Sequence, residues 1–190
     1  MYLDKIVDDL NLTLKDSVLS MQKLQAGKYY GLSKLQQGEN DNEPYFIDNR
    51  GVQFNISTDD NYPFSIYHRL ITSTYKDANL GFGDDNDILI ETNKMICVVY
   101  CDGEKVGILE NDLANLIAFG LNKNFTKQEI NDVNVGMITC KAESINYNSK
   151  QLFQSEYGNN AEYSFTGKDI YFSLSYSIDI MASKNCLANC

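Results

Sequence analysis

The chain has 190 residues, 43% of them hydrophobic, with 16 Lys and Arg against 26 Asp and Glu and a formal net charge of −10. That length and apolar share imply one domain with a genuine core and exclude a wholly disordered chain, and no run approaches the ~18 apolar residues of a membrane-spanning helix. Arginine occurs only at Arg50 and Arg69, and an acidic, arginine-poor surface is a weak grip for DNA or RNA, whose binding is driven by phosphate neutralisation.

The start, Met1 to Asp9, mixes acids into its apolar positions and lacks the basic-then-apolar layout of a secretory signal, so synthesis in the cytoplasm is expected. Residues 4 to 25 carry Ile6, Val7, Leu10, Leu14, Val18, Leu19, Met21 and Leu24, much of that set at three- and four-residue spacing. This predicts one or two amphipathic helices, with Asn11-Leu12-Thr13 as a candidate break and Gly27 as a stop. Stretches 27–63 and 76–94 are rich in Asn, Asp and Gly and largely lack a pattern of their own. Unpatterned segments that long are uncommon in a self-sufficient domain and read either as disordered or as arms ordered by a partner. Within them Gln37 to Pro44 is a loop, and Tyr45–Ile47 and Val52–Ile56 are short strand-like runs.

Phe64 to Ser73 reads as a strand with Phe64, Ile66, His68 and Leu70 on one side and Tyr67, Arg69 and Ile71 on the other. Asp84, Asp85 and Asp87 crowd the loop that follows, and Ile88 to Glu91 begins the next strand. Met95 to Cys101 is apolar on both faces and predicts a buried inner strand. Asp102-Gly103 supplies a turn, Lys105 to Leu109 reads as extended, and Asn111 caps a helix with Leu113, Leu116, Ile117, Gly120 and Leu121 inward. Thr126-Lys127-Gln128-Glu129 is a capping box that opens a short helix ended by Gly136. Met137 to Tyr147 is a further strand. In Ile170 to Met181, Phe172, Leu174, Tyr176, Ile178 and Ile180 alternate with Ser173, Ser175, Ser177 and Asp179, a two-residue period over roughly 40 Å. The serine face is expected to meet solvent or another subunit.

The expected fold is α+β: a mixed or antiparallel sheet packed by one or two helices, with long loop arms and an N-terminal helical segment. It divides a single domain, 1–190, into a helical segment 1–35, an arm 36–63, a core 64–181 and a tail 182–190.

Chemistry is sparse. His68, the one histidine, alternates with Ile66 and Leu70 and reads as structural, since triads and imidazole metal sites need it in a cleft with partners. Cys97, Cys101, Cys140, Cys186 and Cys190 are odd in number and lack CxxC spacing, which argues against a disulfide framework. On a strand Cys97 and Cys101 stand ~13 Å apart, too far to share zinc. Asp84, Asp85 and Asp87 lack the register of a calcium loop and read as a solvated acidic loop. The carboxylate-plus-lysine triplet of metal-dependent nucleases is missing at Asp102–Lys105 and at Glu91–Lys94. No catalytic residue, metal or cofactor is expected. The 13 tyrosines, several in loops or at strand ends, suit either ordinary packing or interfaces.

The order Tyr62 to Leu70, the acidic loop, Met95 to Tyr100 running into the 111–121 helix, Phe153 to Gly158, and Ile170 to Ile178 resembles head-to-tail connector and tail-terminator-like ring proteins of tailed bacteriophages, in particular crAss-like phages. The resemblance covers residues 62 to 181. It implies a non-enzymatic virion subunit in a neck or tail ring of about twelve copies, in contact with portal and tail proteins. DNA would pass without specific binding, with Asp84, Asp85 and Asp87 on the channel wall. From the residues alone, a cytosolic adaptor or inhibitor of a basic partner remains the alternative, and a metal-dependent nuclease a weaker one.

Overall fold

The computed structural model describes residues 2–17, 21–36, 45–54, 62–77, 88–125, 137–157 and 168–183. The architecture is α+β. Among the described residues eight strands form one mixed sheet: β1 (Lys28–Gln36), β2 (Tyr45–Asp48), β3 (Gln53–Phe54), β4 (Phe64–Asp77), β5 (Ile88–Asp102), β6 (Lys123–Phe125), β7 (Ile138–Asn146) and β8 (Asp169–Ser183). Their spatial order is β3-β2-β1-β4-β5-β8-β7-β6. β1 and β4 run parallel and every other neighbouring pair is antiparallel. The helices are α1 (Tyr2–Ser17), α2 (Gln22–Gln25), α3 (Gly103–Val106), α4 (Glu110–Leu121) and α5 (Ser149–Tyr157).

The core follows from the two-residue period of the long strands. On one face Ile66, Cys97, Val99, Phe172, Leu174 and Ile178 meet Leu3, Ile6, Leu10 and Leu14 of α1 and Leu113, Ile117 and Leu121 of α4. A smaller cluster on the other face joins Phe46, Phe54, Tyr67, Val98 and Tyr171 to Leu152 and Phe153 of α5. β5 therefore carries apolar residues on both faces and lies inside the sheet, as its sequence predicts. Its pairing with β8 runs unbroken from Ile88↔Ser183 to Asp102↔Asp169. Among the described helices none is long and apolar enough to cross a membrane.

Several expectations change. α1 is continuous through Asn11-Leu12-Thr13, because the Asn11 side chain turns into the core and is bonded there instead of competing with its own backbone. Of the expected helical segment 1–35, Tyr2–Ser17 and Gln22–Gln25 are helical among the described residues, and 28–36 is β1. The expected arm 36–63 contributes β2 and β3, so the sheet begins well before residue 64, and β8 extends past 181 to Ser183. Residues 103–106, expected as a turn running into an extended run, form a turn of helix: the Asp102 carboxylate accepts the Lys105 N–H at 2.9 Å, and Gly107 closes it at φ 76°, a left-handed conformation that favours glycine. α4 starts at Glu110 with Leu109, not Asn111, at its cap.

On β8 the expected exposure of the serine face is incomplete. Ser173 and Ser177 are buried. Ser177 sits beside the Lys94–Glu143 ion pair, and Glu143 draws on both Lys94 and Ser177. The capping box 126–129, Gly136, and the acidic loop with Asp84, Asp85 and Asp87 lie outside the described residues, as do Cys186 and Cys190.

Gly27 marks the passage from α2 to β1. A Cβ there would collide with the Phe64 ring and stand 2.8 Å from the Phe64 carbonyl oxygen and 2.9 Å from the Leu24 carbonyl oxygen. On α4, Leu113 and Ile117 are fully buried with Cys97 and Val99 as expected, whereas Leu116 is only partly buried. Ile117→Ala is therefore expected to cost ~2–5 kcal/mol in chemical unfolding, and Leu116→Ala distinctly less.

Candidate functional site

Among the described residues, His68, three cysteines and Glu91 are titratable side chains buried in the interior. His68 is fully buried on β4. Its Nδ1 lies 2.8 Å from the Tyr176 hydroxyl and its Nε2 2.9 Å from Asn11 Oδ1. Asn11 Nδ2 donates to the Tyr30 carbonyl at 2.8 Å. With the amide oriented that way, Oδ1 can only accept, so His68 donates from Nε2 and Nδ1 accepts the tyrosine proton. The ring is neutral, and desolvation pushes its pKa down to about 3. This chain of bonds ties α1, β1, β4 and β8 together through the core.

The described cysteines are free and buried. Burial pushes the Cys101 and Cys140 thiols up to about 12, and Cys97 higher still. Thiolate is the reactive form, so these side chains are packed hydrophobes. Cys97 and Cys101 sit on β5 as expected, and among the described residues no group of three or more His, Cys, Asp and Glu is arranged to hold a metal ion.

A second polar cluster lies where β4 and β5 run on together. The Ser73 hydroxyl donates to Asn93 Oδ1 at 2.6 Å, and the Tyr75 hydroxyl approaches Glu91 Oε1 at 3.4 Å. Asn93 and Glu91 are buried, with Asn93 Nδ2 and Glu91 Oε2 left without hydrogen-bond partners. Desolvation raises the Glu91 pKa, offset in part by Asn93. A carboxylate whose folded pKa is raised holds its proton more tightly in the native state, so its stabilising contribution is greatest at low pH and is lost as pH rises from about 4.5 through the raised value. Glu91→Gln is expected to raise the unfolding midpoint at pH 7 and to leave it nearly unchanged at pH 4, as read by thermal or urea unfolding at both pH values.

The surface offers more than the interior. β1 pairs with β4 only at Ser65, Ile66 and His68 and then turns away to pair with β2 from Ser33 onward. From Leu70 to Asp77 β4 therefore has β5 on one side and, among the described residues, no strand on the other. Leu70, Ile71 and Tyr75 are exposed there, Tyr75 at 60%. Across the sheet β6 pairs with β7 only at Ile138, Thr139 and Cys140, and Asn122 Oδ1 accepts the Ala142 N–H at 3.0 Å. Residues 143–146 of β7 thus also lack an outer strand among the described residues. Beside α4 a groove of about 660 Å³ is lined by Met21, Ile108, Leu109, Leu116 and Phe119, among others. Leu109 and Phe119 are 73% and 76% exposed. The outer side of α4 thus carries exposed Phe119 among the exposed polar residues Asn111, Asp112 and Asn115, with exposed Leu109 at its cap.

Sequence reasoning placed His68 on the correct face but had no route to Asn11 or Tyr176, 57 and 108 residues away. The half-edges without an outer strand among the described residues follow from topology and leave no mark in local sequence, and the exposed Leu109 and Phe119 were not singled out either, Leu109 having been read as part of an extended run. No protein-family model matches the chain, and no curated protein matches it.

Proposed function

We propose that this chain is a structural subunit that assembles with copies of itself into a ring, at the neck or tail of a tailed bacteriophage and between portal and tail. The observation that carries the assembly reading is the sheet whose strands β4 and β7 each have, among the described residues, a run with no outer strand, that of β4 beside the exposed Leu70, Ile71 and Tyr75. Long open edges are hazardous in a protein that works alone, and soluble proteins blunt them. Here the two outermost strands are short, two and three residues in β3 and β6, while the open run of β4 is long. The exposed α4 groove adds an apolar contact surface of the kind that marks protein interfaces.

The phage neck setting rests on the resemblance of residues 62 to 181 to connector and tail-terminator-like ring proteins. The charge of −10 with 16 basic residues agrees with it: a channel through which DNA slides is best lined by a surface that does not bind phosphate. Synthesis in the host cytoplasm and residence in the virion follow from the same reading. Negative-stain micrographs of the purified chain and of particles from its source test it. The expected result is a closed ring in solution and density for the chain at the portal–tail junction. A chain that instead co-purifies one-to-one with a basic host protein, with no self-association, supports the adaptor reading.

A further inference from the structure

Building on the ring reading, we propose that neighbouring copies join by antiparallel strand addition, the open edge of β4 in one copy pairing with the open edge of β7 in the next. Three observations converge on a second copy as the occupant. The first is that the two half-edges are complementary in position. Among the described residues β4 has no outer strand over 70–76, toward the end at which β7 is covered by β6, and β7 has none over 143–146, toward the end at which β4 is covered by β1. A copy displaced along the strand direction therefore brings open edge to open edge, while β6 of one copy and β1 of the other fill the remaining steps.

The second observation is polarity. Through β5 and β8, β7 runs antiparallel to β4 within one chain. A β7 laid beside the next copy's β4 continues the antiparallel alternation of the sheet. Such a contact joins two different patches of one subunit, and head-to-tail contacts of this kind close into rings when the rotation permits.

The third is side-chain phase. The irregularities at Ile71 and Glu143 leave 72–77 and 144–146 as regular strand. Tyr75 shares the helix-covered face with Glu91 and Ile180, and Ile145 shares it with Leu174. Matching faces across the junction places Tyr75 opposite Ile145, Thr74 opposite Asn146 and Lys76 opposite Ser144. That register sets an aromatic side chain against a β-branched one, a favourable cross-strand pair. It also brings Lys76 beside Glu143, which already bonds Lys94 on the opposite face of the sheet. Backbone hydrogen bonds would supply the contact and these side chains its register.

The test uses two single variants of the full chain, Thr74→Cys and Asn146→Cys, both at solvent-exposed positions. Within one chain β4 and β7 are three strand spacings apart, ~14 Å, which excludes an internal disulfide. Under mild oxidation the co-expressed variants are expected to give a disulfide-linked dimer on non-reducing gels that neither variant gives alone, with the unsubstituted chain setting the background from its own cysteines. Particle mass and micrographs of the unsubstituted chain are recorded alongside. If it forms rings but the co-expressed variants do not cross-link, the edge contact is overturned and the ring reading stands. A strong dimer from Thr74→Cys alone also overturns the contact, since β4 then pairs with itself. A monomeric mass with no cross-link overturns both.

Discussion

Replacing His68 by alanine is expected to destabilise the protein by about 3–5 kcal/mol at neutral pH, since it opens a cavity in the core and strands two buried partners. Asn11 Oδ1 and the Tyr176 hydroxyl each lose the bond that satisfies them. The effect has a pH signature. The folded ring holds its pKa down at about 3, while an unfolded histidine titrates near 6.5. The unfolded state therefore binds the proton first. The contribution of neutral His68 is complete above about pH 6.5 and falls by roughly 1.4 kcal/mol per unit as pH drops from there toward 3. Urea unfolding of the wild-type and His68→Ala chains at pH 7, 6, 5 and 4 should show the gap between them closing. A gap that stays constant across that range contradicts a buried neutral imidazole.

Gly27→Ala is the second change with a large expected effect, about 3 kcal/mol, which lowers the unfolding temperature sharply. The added methyl meets the Phe64 ring, which can turn, but also the carbonyl oxygens of Phe64 and Leu24, which cannot move without disturbing β4 or α2. Gly51→Ala is the matched control. That residue sits at φ 78°, and a Cβ added there would have nothing within 4 Å, so its cost is the backbone strain alone, about 1 kcal/mol. Equal losses at the two sites, read from thermal unfolding, would refute the crowding argument at Gly27.

The long strands were legible because their period is strong. Ile170 to Met181 alternates without interruption, and Met95 to Cys101 is apolar on both sides, so β8 and β5 could be placed and their burial foreseen. β1 was not, because its nine residues grade from half-buried through buried to exposed instead of alternating; the strand serves β4 at one end and β2 at the other. Asn11 read as a helix breaker on intrinsic preference, and tertiary hydrogen bonds overrode that preference. Asp102-Gly103 read correctly as a change of direction, but the short helix that the Asp102 cap secures was hidden in a run expected to be extended. For the same reason the polar core was half visible: alternation puts His68 inside, yet its partners come from α1 and β8. The open halves of β4 and β7 belong to strand order, which no local pattern encodes.

Self-assembly is the expectation on which the proposed function stands or falls. Its most direct test is the mass of the purified, unsubstituted protein across a wide concentration range, by light scattering on a sizing column, with micrographs of the heaviest fraction. The expected result is a discrete closed ring of about twelve copies, dissociating on dilution through partial assemblies and not through a preferred dimer. A chain that remains a monomer of 21.5 kDa at the highest concentration reached contradicts it.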